Sequence, residues 1–305
     1  MKNARVLITG GAGFLGRNIT RGLIGLGNEV VIFDNLSFGC KPGLSDGGKV
    51  TWIEGDVQDE ASMCAAAGGC NAIFHYAGVI GGDMSAEIAS AQVVAKAAAN
   101  AGCTKIVYAS SCAVYGRAAM DVAVTEDHPA EPLSEYAVVK RNNEAFFSSL
   151  YESHGISAAL LRYFNPYGPG QDDRMVIPRF IGRALNGEPI VIYGSGEQLR
   201  DFVYIDDAVR ATIAAAGNVE GAEVVNIAGG RESSVAGLVR EIIDLTGSAS
   251  ALEFAPAPPR RRDMEIDRRI GSTAKLEKIA GFVPPTNLRD GLQYTLDAIT
   301  AGAAQ

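Results

Sequence analysis

Short apolar runs alternate with amphipathic stretches through the first half of the chain. The apolar runs cover residues 4–8, 29–33, 50–53, 72–75, 105–109 and 158–162. The helical stretches between them cover residues 14–26, 60–67, 86–101 and 135–153. Strands of a parallel sheet are covered by helices on both faces and therefore show such continuous apolar runs. The alternation predicts an α/β fold built on a Rossmann-type, doubly wound parallel sheet.

The pattern changes after Asn165, where two prolines and two glycines follow within five residues. Beyond this point we predict short strands at 190–193, 203–205 and 224–228, and helices at 176–186, 206–215, 235–246, 273–280 and 288–300. We therefore expect a Rossmann domain over residues 1–165 and a smaller α/β lobe over residues 166–305. Strand 224–228 is compatible with a return to the large sheet.

A glycine-rich segment, Thr9–Gly16, lies between the first strand and the first helix. Gly10 permits the tight turn, Gly13 lets the backbone approach a pyrophosphate, and Gly16 lets the helix lie close to the strand. The helix N-terminus then offers free N–H groups to the phosphates. Asp34 ends the second strand, where an acid binds the adenosine ribose and repels a 2′-phosphate. The segment predicts NAD rather than NADP.

Composition narrows the kinds of molecule that the protein is expected to bind. The chain has 27 Lys and Arg against 35 Asp and Glu, a net charge of −8, which disfavours nucleic acid and favours a small molecule. No apolar stretch is as long as a membrane span and no signal-peptide pattern is seen, so we expect a cytoplasmic protein. The five cysteines have no paired metal-ligand spacing, which predicts reduced thiols and no metal site.

Candidate catalytic residues lie in the middle of the chain. Tyr136 and Lys140 are four residues apart on a predicted helix and so share one face. A nearby ammonium group lowers the pKa of a tyrosine and makes it a usable general acid or base, although a half-buried Tyr beside a solvated Lys would show the same spacing. Ser111 follows a predicted strand, and the carboxyl ends of such strands bind ligands in open α/β sheets. A serine there can hydrogen-bond the substrate oxygen that Tyr136 deprotonates.

With these residues in this order, the chain resembles the extended short-chain dehydrogenase/reductases. Within them it is similar to the NAD-dependent nucleotide-sugar epimerases and dehydratases, of which UDP-galactose 4-epimerase is the familiar type. The resemblance runs nearly end to end and rests on Thr9–Gly16, Asp34–Asn35, Asp56–Val57, His75–Gly78, Ser110–Gly116, Tyr136 with Lys140, Arg162–Asn165 and Arg200–Tyr204.

The resemblance implies a role for each matching residue. The catalytic triad would be Ser111, Tyr136 and Lys140. The cofactor-binding residues would be Gly10, Gly13, Phe14, Leu15, Gly16, Asp34, Asn35, Asp56, Val57, Ala77, Gly78, Tyr136, Lys140 and, on the nicotinamide side, Phe164. The substrate-binding residues would be Ser111, Asn165, the backbone near Val176, Arg200 and one of three successive arginines, with Arg260 as our choice. The substrate would be a nucleotide sugar, most simply a UDP-sugar, and the protein a homodimer.

Two departures from the family pattern concern the active site. Dehydratases that remove water across C5 and C6 carry Asp and Glu where this chain has Cys112 and Ala113. Cys112 is either a small packing residue or a proton donor or acceptor at C5. The segment 79–90 is shorter than in typical epimerases and lacks the asparagine that begins their next helix; Glu87 or Ala86 falls near its place.

Epimerisation at C4 through a transient 4-keto sugar is the simplest chemistry for this residue set. Tyr136 would remove the C4 hydroxyl proton, hydride would pass to NAD, and hydride would return to the opposite face of the sugar. The alternatives are a dehydratase or 3,5-epimerase that uses Cys112, and a non-catalytic NAD-sensing protein on the same fold.

Overall fold

The computed structural model describes residues 1–38, 47–78, 83–117, 122–256 and 266–303. Its strands are β1 (Arg5–Thr9), β2 (Glu29–Asp34), β3 (Val50–Glu54), β4 (Ala72–His75), β5 (Lys105–Ser111), β6 (Ser157–Tyr163), β7 (Pro166–Tyr167), β8 (Ile190–Tyr193), β9 (Leu199–Arg200), β10 (Val203–Tyr204), β11 (Ala222–Ile227), β12 (Ser233–Ser234), β13 (Leu252–Ala255) and β14 (Arg268–Arg269). Its helices are α1 (Phe14–Gly25), α2 (Glu60–Ala67), α3 (Met84–Asn100), α4 (Glu135–His154), α5 (Val176–Leu185), α6 (Ile205–Asn218), α7 (Val235–Thr246), α8 (Ala274–Ala280) and α9 (Leu288–Ala303). Within these ranges, each helix is too short or too polar to cross a lipid bilayer.

Seven strands form one parallel sheet in the order β3-β2-β1-β4-β5-β6-β11. The first six follow the strand order expected of a Rossmann fold. Strands are added outward on one side from β1 to β3 and on the other side from β4 to β6, so the strand order reverses between β1 and β4. The predicted fold class is therefore confirmed. The predicted strands and helices of the first half lie within a few residues of the observed ones.

Alternate residues of the strands supply two separate cores, one on each face of the sheet. In β1, Val6 and Ile8 pack on the face covered by α1 and α6, whereas Leu7 packs on the face covered by α2, α3 and α4. Side chains on a strand alternate between faces, so a strand that is buried on both sides is apolar throughout. This explains why the apolar runs predicted the sheet.

The second half of the chain contributes to both lobes. Strand β11 pairs with β6 at the edge of the large sheet, and α6 packs against α1. The short strands β9, β12 and β14 form a separate sheet, and β8 pairs with β13. The chain therefore passes between the lobes more than once, and the division at residue 165 stays a prediction.

Candidate active site

The turn from β1 into α1 packs closely against neighbouring backbone, which is possible only because its glycines lack side chains. Gly10 has a φ of +70°, and a Cβ there would lie 2.6 Å from the backbone nitrogen of Ala77. A Cβ on Gly16 would collide with the carbonyl oxygen of Gly10. The N-cap residue of α1 is Gly13, and no side chain caps the helix there. The first turn can therefore present its N–H groups to an anion.

Asp34 lies at the carboxyl end of β2, beside this turn. Its Oδ2 accepts a hydrogen bond from the backbone N–H of Ala12 at 2.9 Å, and its Oδ1 accepts one from Leu36 at 2.8 Å. Each carboxylate oxygen can accept a further bond, which matches the two hydroxyls of a ribose. Nearby, Asp56 accepts hydrogen bonds from the side chain of Asn35 and the backbone of Gln58.

A cleft that is open to solvent runs along these residues. It brings together eight residues predicted to bind the cofactor, namely Gly10, Gly13, Asp34, Asn35, Asp56, Val57, Ala77 and Gly78. The glycine cradle, the acid at the end of β2 and the cleft between them fit a dinucleotide such as NAD. The other predicted cofactor residues do not line this cleft; they are Phe14, Leu15, Gly16, Tyr136, Lys140 and Phe164.

The predicted catalytic residues come from β5 and α4. Ser111 ends β5, and its Oγ accepts a hydrogen bond from the N–H of Ala113 at the start of a short 3₁₀ helix. Ser134 caps α4, which places Tyr136 half-buried in the first turn. The Nζ of Lys140 lies one turn later, 5.6 Å from the centre of the Tyr136 ring.

Lys140 is buried and has a carboxylate partner that sequence reasoning did not assign to it. Its Nζ lies 2.5 Å from Oε1 of Glu87 on α3 and donates a hydrogen bond to the carbonyl oxygen of Ala109 at 2.9 Å. Burial by itself lowers the pKa of the ammonium group, but Tyr108, Tyr136 and Glu87 together outweigh it and raise the pKa above its ordinary value. Lys140 is therefore charged at neutral pH.

Glu87 is 5% exposed and lines the cofactor cleft. The hydroxyl of Tyr108 donates to its Oε1 at 3.3 Å, while its Oε2 has no hydrogen-bond partner among the described residues. The sequence does carry a signal for this placement. Glu87 is in phase with the buried positions Ala91, Val94 and Ala98 of α3, so helical periodicity puts an acid on an apolar face.

His75, at the end of β4, is a second buried titratable group beside the site. Its Nδ1 lies 2.7 Å from Oγ1 of Thr9, and its Nε2 has no partner within the described ranges. Burial, with a further contribution from the charge of Lys140, lowers the pKa of His75 from 6.5 to about 3. The imidazole is therefore neutral at physiological pH.

Cys112 is 5% exposed and packs with Val114, Tyr115 and Phe164. Burial raises the pKa of the thiol, and nearby Arg269 on β14 opposes the shift. Nη1 of Arg269 lies 3.9 Å from the Cys112 sulfur. Phe164, predicted on the nicotinamide side, is fully buried in this cluster. Cys112 therefore lies beside an arginine that the sequence did not predict there, because the contact joins residues 157 positions apart.

Nε of Arg269 is buried and has no hydrogen-bond partner among the residues that the structure describes. Its Nη2 donates to the carbonyl oxygen of Gly116 at 3.2 Å. A guanidinium prefers a planar, two-oxygen partner such as a carboxylate or phosphate. Arg269 is therefore a candidate anion-binding group next to Cys112.

The predicted substrate-binding residues lie in the second half of the chain. Asn165 donates from its side chain to the carbonyl oxygen of Asp201 at 2.7 Å, which links it to the strand end that carries Arg200. Nη1 of Arg200 donates to the carbonyl oxygen of Ile266 at 2.6 Å. Val176 is the first residue of α5 and is 39% exposed. Arg260 lies outside the described residues.

A buried ion pair joins α4 to β6 and, through a further hydrogen bond, to β5. Arg162 on β6 makes two hydrogen bonds to Glu144 on α4, at 2.8 and 2.7 Å, and Ser110 also donates to Glu144. The Arg162 guanidinium stacks on the ring of Tyr115, 4.6 Å from its centre. These contacts fix α4 and the end of β5 relative to each other, and so fix Tyr136 relative to Ser111.

Known proteins are similar to this chain over most of its length. The model of the NAD dependent epimerase/dehydratase family matches residues 6–228. A UDP-N-acetyl-alpha-D-glucosaminuronate decarboxylase from Bacillus cytotoxicus is 32% identical over 311 aligned residues, which cover 96% of each protein.

Solved structures agree with the family model. UDP-glucose 4-epimerase from Thermotoga maritima, solved with UDP-glucose, superposes with a TM-score of 0.91 at 29% identity and covers 98% of this chain and 99% of its own. MoeE5, solved with UDP-glucuronic acid and NAD, superposes with a TM-score of 0.87 at 31% identity over 98% of this chain and 99% of its own. This chain belongs to the NAD-dependent epimerase/dehydratase family of nucleotide-sugar enzymes.

Proposed function

We propose that this protein is a nucleotide-sugar 4-epimerase, which inverts C4 of a UDP-hexose through a transient 4-keto sugar. The observation that carries the proposal is the buried, charged Lys140 beside Tyr136, together with Ser111 at the carboxyl end of a parallel strand. Cys112 and Ala113 occupy the two positions where a 4,6-dehydratase needs its carboxylates. This residue set has a base for the C4 hydroxyl and no acid pair for eliminating water.

In the proposed mechanism, Tyr136 as phenolate removes the proton of the C4 hydroxyl and later returns it. Lys140 stabilises the phenolate with its positive charge, and Ser111 hydrogen-bonds the same sugar oxygen. NAD, when bound, supplies the hydride acceptor and donor for C4. The 4-keto sugar has to expose its other face before hydride returns to C4, so the sugar needs space to rotate while its diphosphate stays bound.

The proposed cofactor contacts begin at the first turn of α1 and continue along the cleft. The amides of Phe14 and Leu15 bind the pyrophosphate, Asp34 with Asn35 binds the ribose, and the adenine lies near Asp56 and Val57. The proposed diphosphate contacts are Asn165, the N-terminus of α5 at Val176, Arg200 and Arg260. Two phosphates in a partly dry cleft require donors of this kind.

The relatives support the coarse assignment and leave the sugar open. The Thermotoga maritima protein is named a UDP-glucose 4-epimerase, and MoeE5 was solved with UDP-glucuronic acid and NAD. We infer a UDP-sugar substrate for this chain because both proteins align with it over nearly their whole length. A homodimer in the cytoplasm stays a prediction.

The test is turnover of a panel of UDP-, dTDP- and GDP-hexoses, with NMR to assign the product. Tyr136→Phe keeps the ring and removes the base, so turnover should fall by at least about a hundredfold. Tyr151→Phe, at an exposed tyrosine on the same helix, is the matched control and should leave turnover unchanged. Near-normal turnover in Tyr136→Phe would refute the assigned base.

A second candidate function is favoured by Arg269. A sugar with a carboxylate at C5 could pair with this guanidinium, and the relative from Bacillus cytotoxicus is named a decarboxylase of such a sugar. Oxidation of C4 makes that carboxylate a β-keto acid. The C5–C6 bond then breaks, CO₂ leaves, its electron pair forms an enolate, C5 takes a proton, and the ketone is reduced back.

UDP-glucuronic acid distinguishes the two candidates. Release of CO₂ and a UDP-pentose indicates decarboxylation, and a C4 epimer of the same mass indicates epimerisation. Arg269→Gln should weaken turnover of the uronic acid much more than turnover of a neutral hexose if the carboxylate binds there. Equal effects on both substrates would remove the support for the second candidate.

The alternative in which Cys112 transfers a proton at C5 or C6 needs a separate variant. Cys112→Ser keeps the size of the side chain and loses most of its acidity. If Cys112 only packs, as its burial favours, turnover should change by less than about fivefold, or about 1 kcal/mol. A loss of about a hundredfold with an unaltered affinity for NAD would instead support a dehydratase or 3,5-epimerase.

A further inference from the structure

We propose that Glu87 is a positioning residue, which holds Lys140 in place and, as its counter-charge, sets the pH at which Tyr136 ionises. The inference rests on the proposed function in one respect, that Tyr136 is the base. Glu87 belongs neither to the glycine cradle nor to the set of Ser111, Tyr136 and Lys140.

The geometry shows a carboxylate inserted between the cofactor cleft and the catalytic helix. Oε1 of Glu87 lies 2.5 Å from Nζ of Lys140, and the side chains of both residues are under a tenth exposed. Glu87 lines the cleft, and its Oε2 lies beside Gly78, where a Cβ would come within 3.3 Å of it. Because Oε2 has no hydrogen-bond partner within the described ranges, no second donor there offsets its charge.

Each element packed against Lys140 contributes a group to its surroundings. Helix α4 supplies Tyr136, β5 supplies Tyr108, α3 supplies Glu87, and β4 supplies His75. His75 is neutral because burial holds its pKa far below the physiological range. Glu87 is therefore the one carboxyl side chain among the described residues that contacts the Lys140 ammonium group.

The consequence for Tyr136 follows from Coulomb's law. A lysine alone favours the phenolate, and a carboxylate paired with that lysine removes much of the favourable field. Lys140 and Glu87 together present Tyr136 with a nearly neutral pair. Removing only the carboxylate charge should restore the field of Lys140 and move the ionisation midpoint of the Tyr136 phenol to lower pH.

Glu87→Gln is the primary test, because it keeps the shape and removes the charge. Ultraviolet difference titration at the phenolate band follows all tyrosines, so each titration is repeated with Tyr136→Phe added and the two curves are subtracted. The difference reports Tyr136 alone and needs no sugar substrate. A failure of the proposed function would show as normal turnover in Tyr136→Phe, whereas a failure of this inference would show in the titration.

Glu60→Gln is the matched control. Glu60 also pairs with a lysine at 2.5 Å, Lys96 of α3, but both side chains are about half exposed. We expect a shift of at least about 0.3 pH unit toward lower pH in Glu87→Gln and none in Glu60→Gln. A shift below about 0.3 unit in Glu87→Gln, an upward shift, or an equal shift in the control would overturn the inference.

A second background keeps the test valid if Glu87→Gln leaves Lys140 unpaired and the protein fails to fold. The double variant Lys140→Met with Glu87→Gln removes both charges and buries no unpaired one. If Glu87 offsets the charge of Lys140, the phenol of Tyr136 should ionise within about 0.3 pH unit of the wild type in this double variant. A larger upward shift, as expected if Lys140 acts on Tyr136 without an opposing charge, would overturn the inference.

Discussion

His75 should make the fold lose stability in weak acid. The ring is fully buried between Tyr108 and Phe147, and burial together with the charge of Lys140 lowers its pKa from 6.5 to about 3. The unfolded chain binds a proton below the ordinary pKa, while the folded protein keeps the imidazole neutral. The unfolded state therefore gains protons first, and stability falls as the pH drops from about 6.5 to about 3.

The size of the effect follows from the two pKa values. At about pH 5 the unfolded histidine is almost fully protonated and the folded one is neutral, which costs about 2 kcal/mol of folding free energy. At about pH 4 the same difference reaches about 3 kcal/mol. Either value is a large fraction of the net stability of a typical protein.

The assay is urea unfolding at about pH 8, pH 6 and pH 5 for the wild type and for His75→Asn, whose amide can still hydrogen-bond Thr9. His75→Asn loses some stability at every pH, but between pH 8 and pH 5 it should lose about 2 kcal/mol less than the wild type. Other groups titrate equally in both proteins and cancel. His154→Asn, at an exposed position, is the control. Equal losses in the wild type and His75→Asn would refute the reasoning.

Three further predictions concern the cradle and its support. Asp34→Asn removes the charge at the ribose and should raise the affinity for NADP relative to NAD, measured by calorimetry; an unchanged ratio would contradict the proposed role. Gly16→Ala adds a Cβ against the carbonyl oxygen of Gly10 and should weaken NAD binding, while Gly25→Ala in the same helix, where a Cβ meets nothing within 4 Å, should not. Glu144→Gln leaves Arg162 without a buried counter-charge and should lower the free energy of unfolding by about 3 kcal/mol or more; a loss below about 1 kcal/mol would show that the pair is dispensable.

The large sheet was predictable because its strands are buried on both faces. Continuous apolar runs such as that of β1 indicate this environment without knowledge of any partner strand. The short strands β9, β12 and β14 were not predictable. Each has two residues, and each exists only because the chain returns to the same place from distant positions.

The same contrast between local patterns and contacts of distant segments explains which parts of the candidate site were predictable. Spacing along one helix was enough to make neighbours of Tyr136 and Lys140. The approach of Glu87 to Lys140 joins two helices, and that of Arg269 to Cys112 joins segments 157 residues apart. Local patterns cannot specify such contacts, although the position of Glu87 on the buried face of α3 already indicated that it needs a partner.

The return of β11 to the edge of the large sheet has a consequence for how the chain reaches its folded state. Strand β6 is buried from Ala158 to Tyr163 and mostly apolar, and β11 covers its outer edge only after about sixty further residues have been synthesised. Until then β6 is an exposed edge strand with unpaired backbone N–H and C=O groups. Such an edge can pair with a strand of another chain and start aggregation. A fragment that ends at residue 165 should therefore aggregate, and the dinucleotide-binding part should depend on the second half of the chain for its solubility.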